Sequence, residues 1–84
     1  MFPEFATTYR DTNNKIHLFF FPGMDDSSKN IWKRLDLSKT DLKFEKHDFN
    51  DGAEEFIFER EDITRIICRL IDDHGNTKSI ELKI

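Results

Sequence analysis

Apolar and polar positions alternate with a period of two on both sides of Asp73-His74-Gly75. That period marks a strand with one buried face, so Thr64 to Ile84 is predicted to form an antiparallel hairpin. A three-residue loop Asp73-His74-Gly75 sets Asp72 against Asn76, Leu70 against Lys78, Cys68 against Ile80, Ile66 against Leu82 and Thr64 against Ile84. This register gathers the mostly apolar faces of both strands on one side. A two-residue loop at His74-Gly75 or Gly75-Asn76 would oppose Cys68 or Ile66 to Ser79, Glu81 and Lys83, turning an apolar face to water. Gly75 then takes the third loop position, where a type I turn is followed by a left-handed residue.

The same alternation predicts further strands. Phe5 to Arg10 and Ile16 to Phe21 flank the polar cluster Asp11-Thr12-Asn13-Asn14-Lys15, where Asn tolerates the left-handed conformation of tight turns. They suit a hairpin whose register stays open. Ile16, Leu18 and Phe20 share one face of the second run and His17, Phe19 and Phe21 the other, until Pro22-Gly23 stops it. Leu42 to Lys46 and Glu55 to Glu59 are two more strands, separated by the turn Asn50-Asp51-Gly52. Phe56 and Phe58 point one way, with Glu55, Ile57 and Glu59 the other.

Met24 to Leu42 reads two ways. Asp25, Asp26 and Ser27 are good helix caps, and Ile31, Trp32 and Leu35 fall on one helical face, giving a helix over Ser27 to Leu37. As a strand, Ile31, Lys33, Leu35 and Leu37 alternate with Trp32, Arg34 and Asp36. Ser38-Lys39-Thr40-Asp41 is a turn in either case.

Eighty-four residues suit a single domain over 1–84, and a chain this short buries only about 60% of its unfolded surface. With one cysteine, Cys68, neither an intramolecular disulfide nor an all-cysteine zinc cage can staple it. The core must suffice, and its material is β-leaning: nine Phe, one Trp, one Tyr and a row of Ile. A net charge of −4 with mixed signs reads as solubility and disfavours nucleic acid. No run reaches the roughly 18 apolar residues of a membrane span. Met1-Phe2-Pro3-Glu4 does not open an export signal, so any such signal would lie outside this chain.

Few residues suggest chemistry. His17, His47 and His74 lack partners at zinc-like spacing, and Cys68 alternates with Ile66 and Leu70 as a core thiol would. Asp48 to Glu55 clusters hard oxygens around Gly52 but misses the calcium-loop template by one place, because Asp51 stands at the fourth ligand position instead of the fifth. No metal, cofactor or catalytic residue is expected. Gly23, Gly52 and Gly75 are isolated, no serine sits in a nucleophile elbow, and an enzyme would have to rely on carboxylate pairs placed by the fold. Phe19-Phe20-Phe21 reads as core packing on both strand faces rather than a nucleic-acid platform, since only Lys15 is near.

Charge is uneven along the chain. Asp48, Asp51, Glu54, Glu55, Glu59, Glu61 and Asp62 face only Arg60, whereas six basic residues between Lys29 and Lys46 outnumber three acidic ones. An acidic face could dock a basic protein partner, with Asp48, Asp51, Glu54, Glu55, Glu59 and Glu61 as contacts. Alternatively the two segments compensate each other across the fold. The oligomeric state is not legible.

The run Asp72-Asp73-His74-Gly75-Asn76-Thr77 before a closing strand resembles the end of bacterial immunoglobulin-like repeat domains, whose last strands often join through Asp-x-x-Gly-Asn. Ile16 to Phe21 is similar to their second strand, Trp32 to the aromatic core residue of the third, and Phe56 to Glu59 to the fifth. Leu18, Trp32 and Ile66 or Cys68 take the places of the Cys, Trp and Cys that pin true immunoglobulin domains. No Tyr is placed for a tyrosine corner, and Glu61-Asp62-Ile63 lacks the usual Gly. The resemblance implies an all-β, immunoglobulin-like sandwich without enzymatic activity, a spacer or protein/ligand-contact module at a bacterial surface or secreted. The alternative is α+β with the helix at Ser27 to Leu37: a free-standing, acidic intracellular interaction or inhibitor protein, of the kind phages encode, acting through Asp48 to Asp62.

Overall fold

A computed structural model describes residues 5–24, 29–37 and 42–84. The strands are β1 (Ala6–Arg10), β2 (Ile16–Phe20), β3 (Gly23–Met24), β4 (Ile31–Asp36), β5 (Phe44–Asp48), β6 (Glu54–Phe58), β7 (Arg65–Asp72) and β8 (Thr77–Lys83). They form two four-stranded sheets, ordered β1-β2-β6-β5 and β3-β4-β7-β8, with every pairing antiparallel. The fold is all-β, and among the described residues no helix is long and apolar enough to cross a membrane.

The two sheets share one core. From the first come Ala6, Ile16, Leu18, Phe20, Phe56 and Phe58, and from the second Trp32, Leu35, Ile66, Cys68, Leu70 and Leu82. Leu18, Trp32, Ile66 and Cys68 all lie inside it. Each side chain of that size stabilises the fold by roughly 1.5–3 kcal/mol when fully buried.

The closing hairpin has the register read from its alternation: Leu70 faces Lys78, Cys68 faces Ile80 and Ile66 faces Leu82. Asp72 N–H donates to the Asn76 carbonyl at 3.1 Å, and Gly75, at φ 82°, closes the turn. The same three-residue loop recurs twice. Asp11 N–H donates to Lys15 O with Asn14 at φ 64°, and Phe49 N–H donates to Ala53 O with Gly52 at φ 90°. In each loop the left-handed residue also donates its N–H to the carbonyl of the first residue. The register left open at Asp11 to Lys15 is thereby fixed, with Arg10 opposite Ile16.

Two of these loops open on an aspartate that works alike in both. Asp11 Oδ1 accepts from Asn13 N–H and Lys15 N–H at 2.8 and 2.9 Å. Asp72 Oδ1 accepts from His74 N–H and Asn76 N–H at 2.9 and 2.8 Å. Satisfying backbone donors that the tight turn would strand is what Asp offers here. The second oxygen is left for a lateral tie, which for Asp72 comes from the amides of Asn30 and Asn76.

Three expectations need correction. Residues 29–37 hold strand β4 and no helix, while Asp25 to Ser28, the Ser38 to Asp41 turn and Met1 to Glu4 lie outside the described residues. The apparent helical spacing of Trp32 and Leu35 has a different source. A register shift between Trp32 and Arg34 inserts Lys33 as an extra residue, so Trp32, Leu35 and Leu37 are all buried on one side of a bulged strand. The strict alternation that separated Trp32 from Leu35 therefore fails as well. Finally, only one face of β2 is core. Ile16, Leu18 and Phe20 are wholly buried, but His17 and Phe19 are half-buried and Phe21 is 46% exposed, because this sheet has a partner layer on one side only.

Gly75 has open space where a Cβ would stand, so replacing it tests backbone conformation alone. Gly75→Ala is expected to cost about 1 kcal/mol in urea denaturation, with Gly75→Asn milder. An unchanged midpoint for Gly75→Ala would contradict the turn assignment.

Candidate functional site

The face of the β1-β2-β6-β5 sheet that turns away from the core carries the most unusual chemistry. Strand parity puts Thr7 and Tyr9 of β1, His17 and Phe19 of β2, Glu55 and Ile57 of β6, and Glu45 and His47 of β5 on it. Pairing aligns them as rows Tyr9-His17-Ile57-Glu45 and Thr7-Phe19-Glu55-His47.

His17 is held at both ring nitrogens, Nε2 2.8 Å from Asp11 Oδ2 and Nδ1 2.8 Å from Glu55 Oε2. A neutral imidazole has one donor and one acceptor, and its acceptor would point lone pair to lone pair at a carboxylate. Both contacts are favourable only for the imidazolium, which donates twice. Burial works against that charge, but hydrogen bonds and attraction from Asp11 and Glu55 outweigh it and raise the His17 pKa above 6.5. Its hydrogen bond to Asp11, helped by Lys15 and Asn13 N–H, holds that carboxyl below its ordinary value.

From this imidazolium a column of near-parallel rings runs along the sheet. His17 stacks on Tyr9 at 4.6 Å and 8°, Tyr9 on Phe19 at 5.8 Å and 12°, and Phe19 on Phe21 at 6.2 Å and 13°. A cation against a Tyr face is favourable in itself. At the far end, Phe19 and Phe21 join Phe49, Asn50, Asp51 and Ala53 around an open cleft of 590 Å³. Tyr9, Phe21 and Phe49 are each close to half exposed, at 47%, 46% and 47%. Among the described residues no Lys or Arg lines the cleft.

The six acidic residues expected to form one face are divided by the fold. Glu54 is buried between the sheets, where Oε1 accepts from Leu35 N–H at 3.0 Å and Oε2 meets Lys46 Nζ at 2.7 Å. That contact raises the Lys46 pKa. Asp48 is exposed and 3.5 Å from the same Lys46. Glu55 belongs to the His17 clamp, and Asp51 sits at the cleft with Oδ1 accepting from Ala53 N–H. Glu59 and Glu61 are exposed beyond the end of β6. Only Asp51 and Glu55 thus border the aromatic column.

The other reactive types are occupied in similar ways. Cys68 is buried, which pushes its thiol up to about 12. His47 pairs with Glu45 at 3.0 Å. His74 occupies the closing loop, donating its backbone N–H to Asp72. Around the earlier calcium reading, Glu54 faces the core and Glu55 the opposite side of β6. Among the described residues no three His, Cys, Asp or Glu side chains gather as a metal would require. A second cavity of 240 Å³ lies at Lys29, Asn30, Ile31 and the Asp72 loop. Its central carboxylate is already saturated. Burial would raise Asp72, yet hydrogen bonds from Asn76, Asn30 and His74 outweigh it and hold the pKa at about 2.

In the sequence Tyr9 and Phe49 are not singled out, Asp11 reads only as part of a turn, and Phe21 reads as core packing. For Phe21 the parity of β2 held the signal, since the aliphatic positions were all on the other face. Phe49 lies in a loop, where no period exists to read. No protein-family profile, curated protein sequence or solved structure matches the chain.

Two titrations test this electrostatic arrangement. The His17 clamp contributes stability that is complete below 6.5 and lost as pH rises through its higher folded value. The stability gap between the native chain and His17→Gln should therefore be largest in mildly acidic solution and shrink as pH rises above 6.5 through the higher folded value, as read by urea denaturation. A constant gap would mean that the ring is neutral. Asp72 works in the opposite sense: its contribution is complete above 3.8 and lost as pH falls toward about 2. Asp72→Asn should be less stable at neutral pH and should lose less of its stability on acidification.

Proposed function

We propose that this chain is a non-enzymatic, immunoglobulin-like β-sandwich module of a bacterial surface or secreted protein, which contacts a protein partner through the outer face of its β1-β2-β6-β5 sheet. The strand order supports the fold family. An immunoglobulin constant-type sandwich places its first, second, fifth and fourth strands in one sheet and its third, sixth and seventh in the other. With the two-residue β3 set aside as an addition to the edge of β4, the present order follows that scheme. Leu18, Trp32 and Cys68 or Ile66, which the resemblance sets at the Cys, Trp and Cys positions, are all buried in the core. The surface or secreted setting comes from the resemblance of the Asp72 to Thr77 turn.

The observation that carries the contact role is the exposed aromatic column. The rings Tyr9, Phe21 and Phe49 keep close to half of their surface in water on one face. Contiguous exposed apolar groups of this kind mark interaction sites, and aromatic side chains are the usual anchors of protein contacts. The non-enzymatic reading rests on how the reactive groups are spent. Both nitrogens of His17 are engaged by carboxylates, and Cys68 is buried with its thiol strongly protonated. The alternative of an acidic interaction protein acting through Asp48 to Asp62 has less support, since Glu54 faces the core and Asp48 is shared with Lys46.

If the rings at the cleft serve contact, removing them should leave the fold intact. Phe21→Ser and Phe49→Ser are each expected to change unfolding free energy by no more than about 0.5 kcal/mol, as surface substitutions do. A loss of about 2 kcal/mol or more from either would mark these rings as structural and overturn the contact face.

A further inference from the structure

We infer that the cleft at Phe19, Phe21, Phe49 and Asp51 receives an arginine side chain from the protein partner. This rests on the contact-module reading and specifies what the face recognises. Three features of the cleft converge on a planar cation.

The first is shape. Phe21 ends a column of near-parallel rings, and it makes no ring contact with Phe49 although both line the same cleft. A flat group entering beside Phe21 extends the stack already present. Guanidinium is flat and stacks on aromatic faces, whereas the ammonium of Lys is a compact, strongly hydrated point charge. The second is charge. Among the described residues Asp51 is the one ionisable group lining the cleft, and none of them brings a cation there. Its Oδ1 is taken by Ala53 N–H at 3.0 Å, which orients the carboxylate and leaves Oδ2 for a donor from outside. The third is the chain's own precedent. At the other end of the column a planar cation, the His17 imidazolium, already stacks on Tyr9 at 4.6 Å while carboxylates hold its nitrogens. The Phe21 end repeats that arrangement with the cation missing: rings, a carboxylate and open space.

A neutral apolar knob would bury the same rings but leave Asp51 unpaired at the rim. Nucleic acid would bring phosphate against Asp51 and Glu55, which is repulsive.

The test is a nuclear magnetic resonance titration of the folded chain with acetyl-Gly-Arg-Gly-amide, and with the same peptide carrying Lys or citrulline. The Arg peptide should shift the amides of Phe21, Phe49, Asn50, Asp51 and Ala53, and bind about tenfold more tightly than its neutral citrulline isostere. The Lys peptide should fall between them. Asp51→Asn keeps the oxygen that caps Ala53, so it should stay folded and erase the preference for Arg over citrulline. Phe21→Ser should weaken all three peptides. Equal binding of Arg and citrulline, shifts located elsewhere, or no shifts at all would overturn the arginine assignment. The contact-face reading fails on a different result, a large stability loss in Phe21→Ser or Phe49→Ser. The two ideas can therefore fall separately.

Discussion

Ile16, Leu18, Phe20, Phe56 and Phe58 project from one sheet onto Trp32, Leu35, Ile66, Cys68 and Leu70 of the other, and the remaining structure depends on this contact. A chain of this length has few apolar residues to spare and no disulfide to assist them. Each central strand therefore commits one parity to the interior and surrenders the other. On β2 and β6 the inward parity also takes Glu54, which could enter only because Leu35 N–H and Lys46 meet both of its oxygens. An inward carboxylate without those partners would oppose the packing that surrounds it.

The strand ends are solved three times by one device. Loops at 11–15, 49–53 and 72–76 share a five-residue geometry with a left-handed fourth residue, Asn14, Gly52 and Gly75 in turn. Because the loop geometry sets the register, each repetition also decides which parity points inward. The opening aspartates connect turn to surroundings. Asp11 spends one oxygen on its loop and the other on His17, so the hairpin and the outer-face clamp are mechanically one unit. Asp51 plays a similar part inside its loop, orienting toward Ala53 while standing at the cleft.

The outer face then reads as a line of charge and rings. It starts at Asp11 and Glu55 around His17, continues through Tyr9, Phe19 and Phe21, and ends at Phe49 and Asp51. A protonated His17 neutralises part of the acidity at the first end. At the second end none of the described residues brings a cation to Asp51. This asymmetry gives the face a direction, and the proposed contact role draws on it.

Much of the fold was legible because it is local. The Asp73-His74-Gly75 loop and every pairing from Ile66 to Leu82 follow from matching two periods of two across one turn, and no distant residue has a say. The all-β architecture follows from that alternation and from Phe- and Ile-rich stock. Other features needed the third dimension. A bulge at Lys33 exists only relative to β7, so the sequence showed its trace, the spacing of Trp32 and Leu35, in the guise of a helix. Glu54 and Glu55 are neighbours in an acidic run, but strand parity sends one to the core and the other to His17. The aromatic column joins β1 to β2, and the cleft adds a loop more than two dozen residues away. Periodicity could say which side of a strand a residue takes. Only sheet order and strand packing could say which side would meet water.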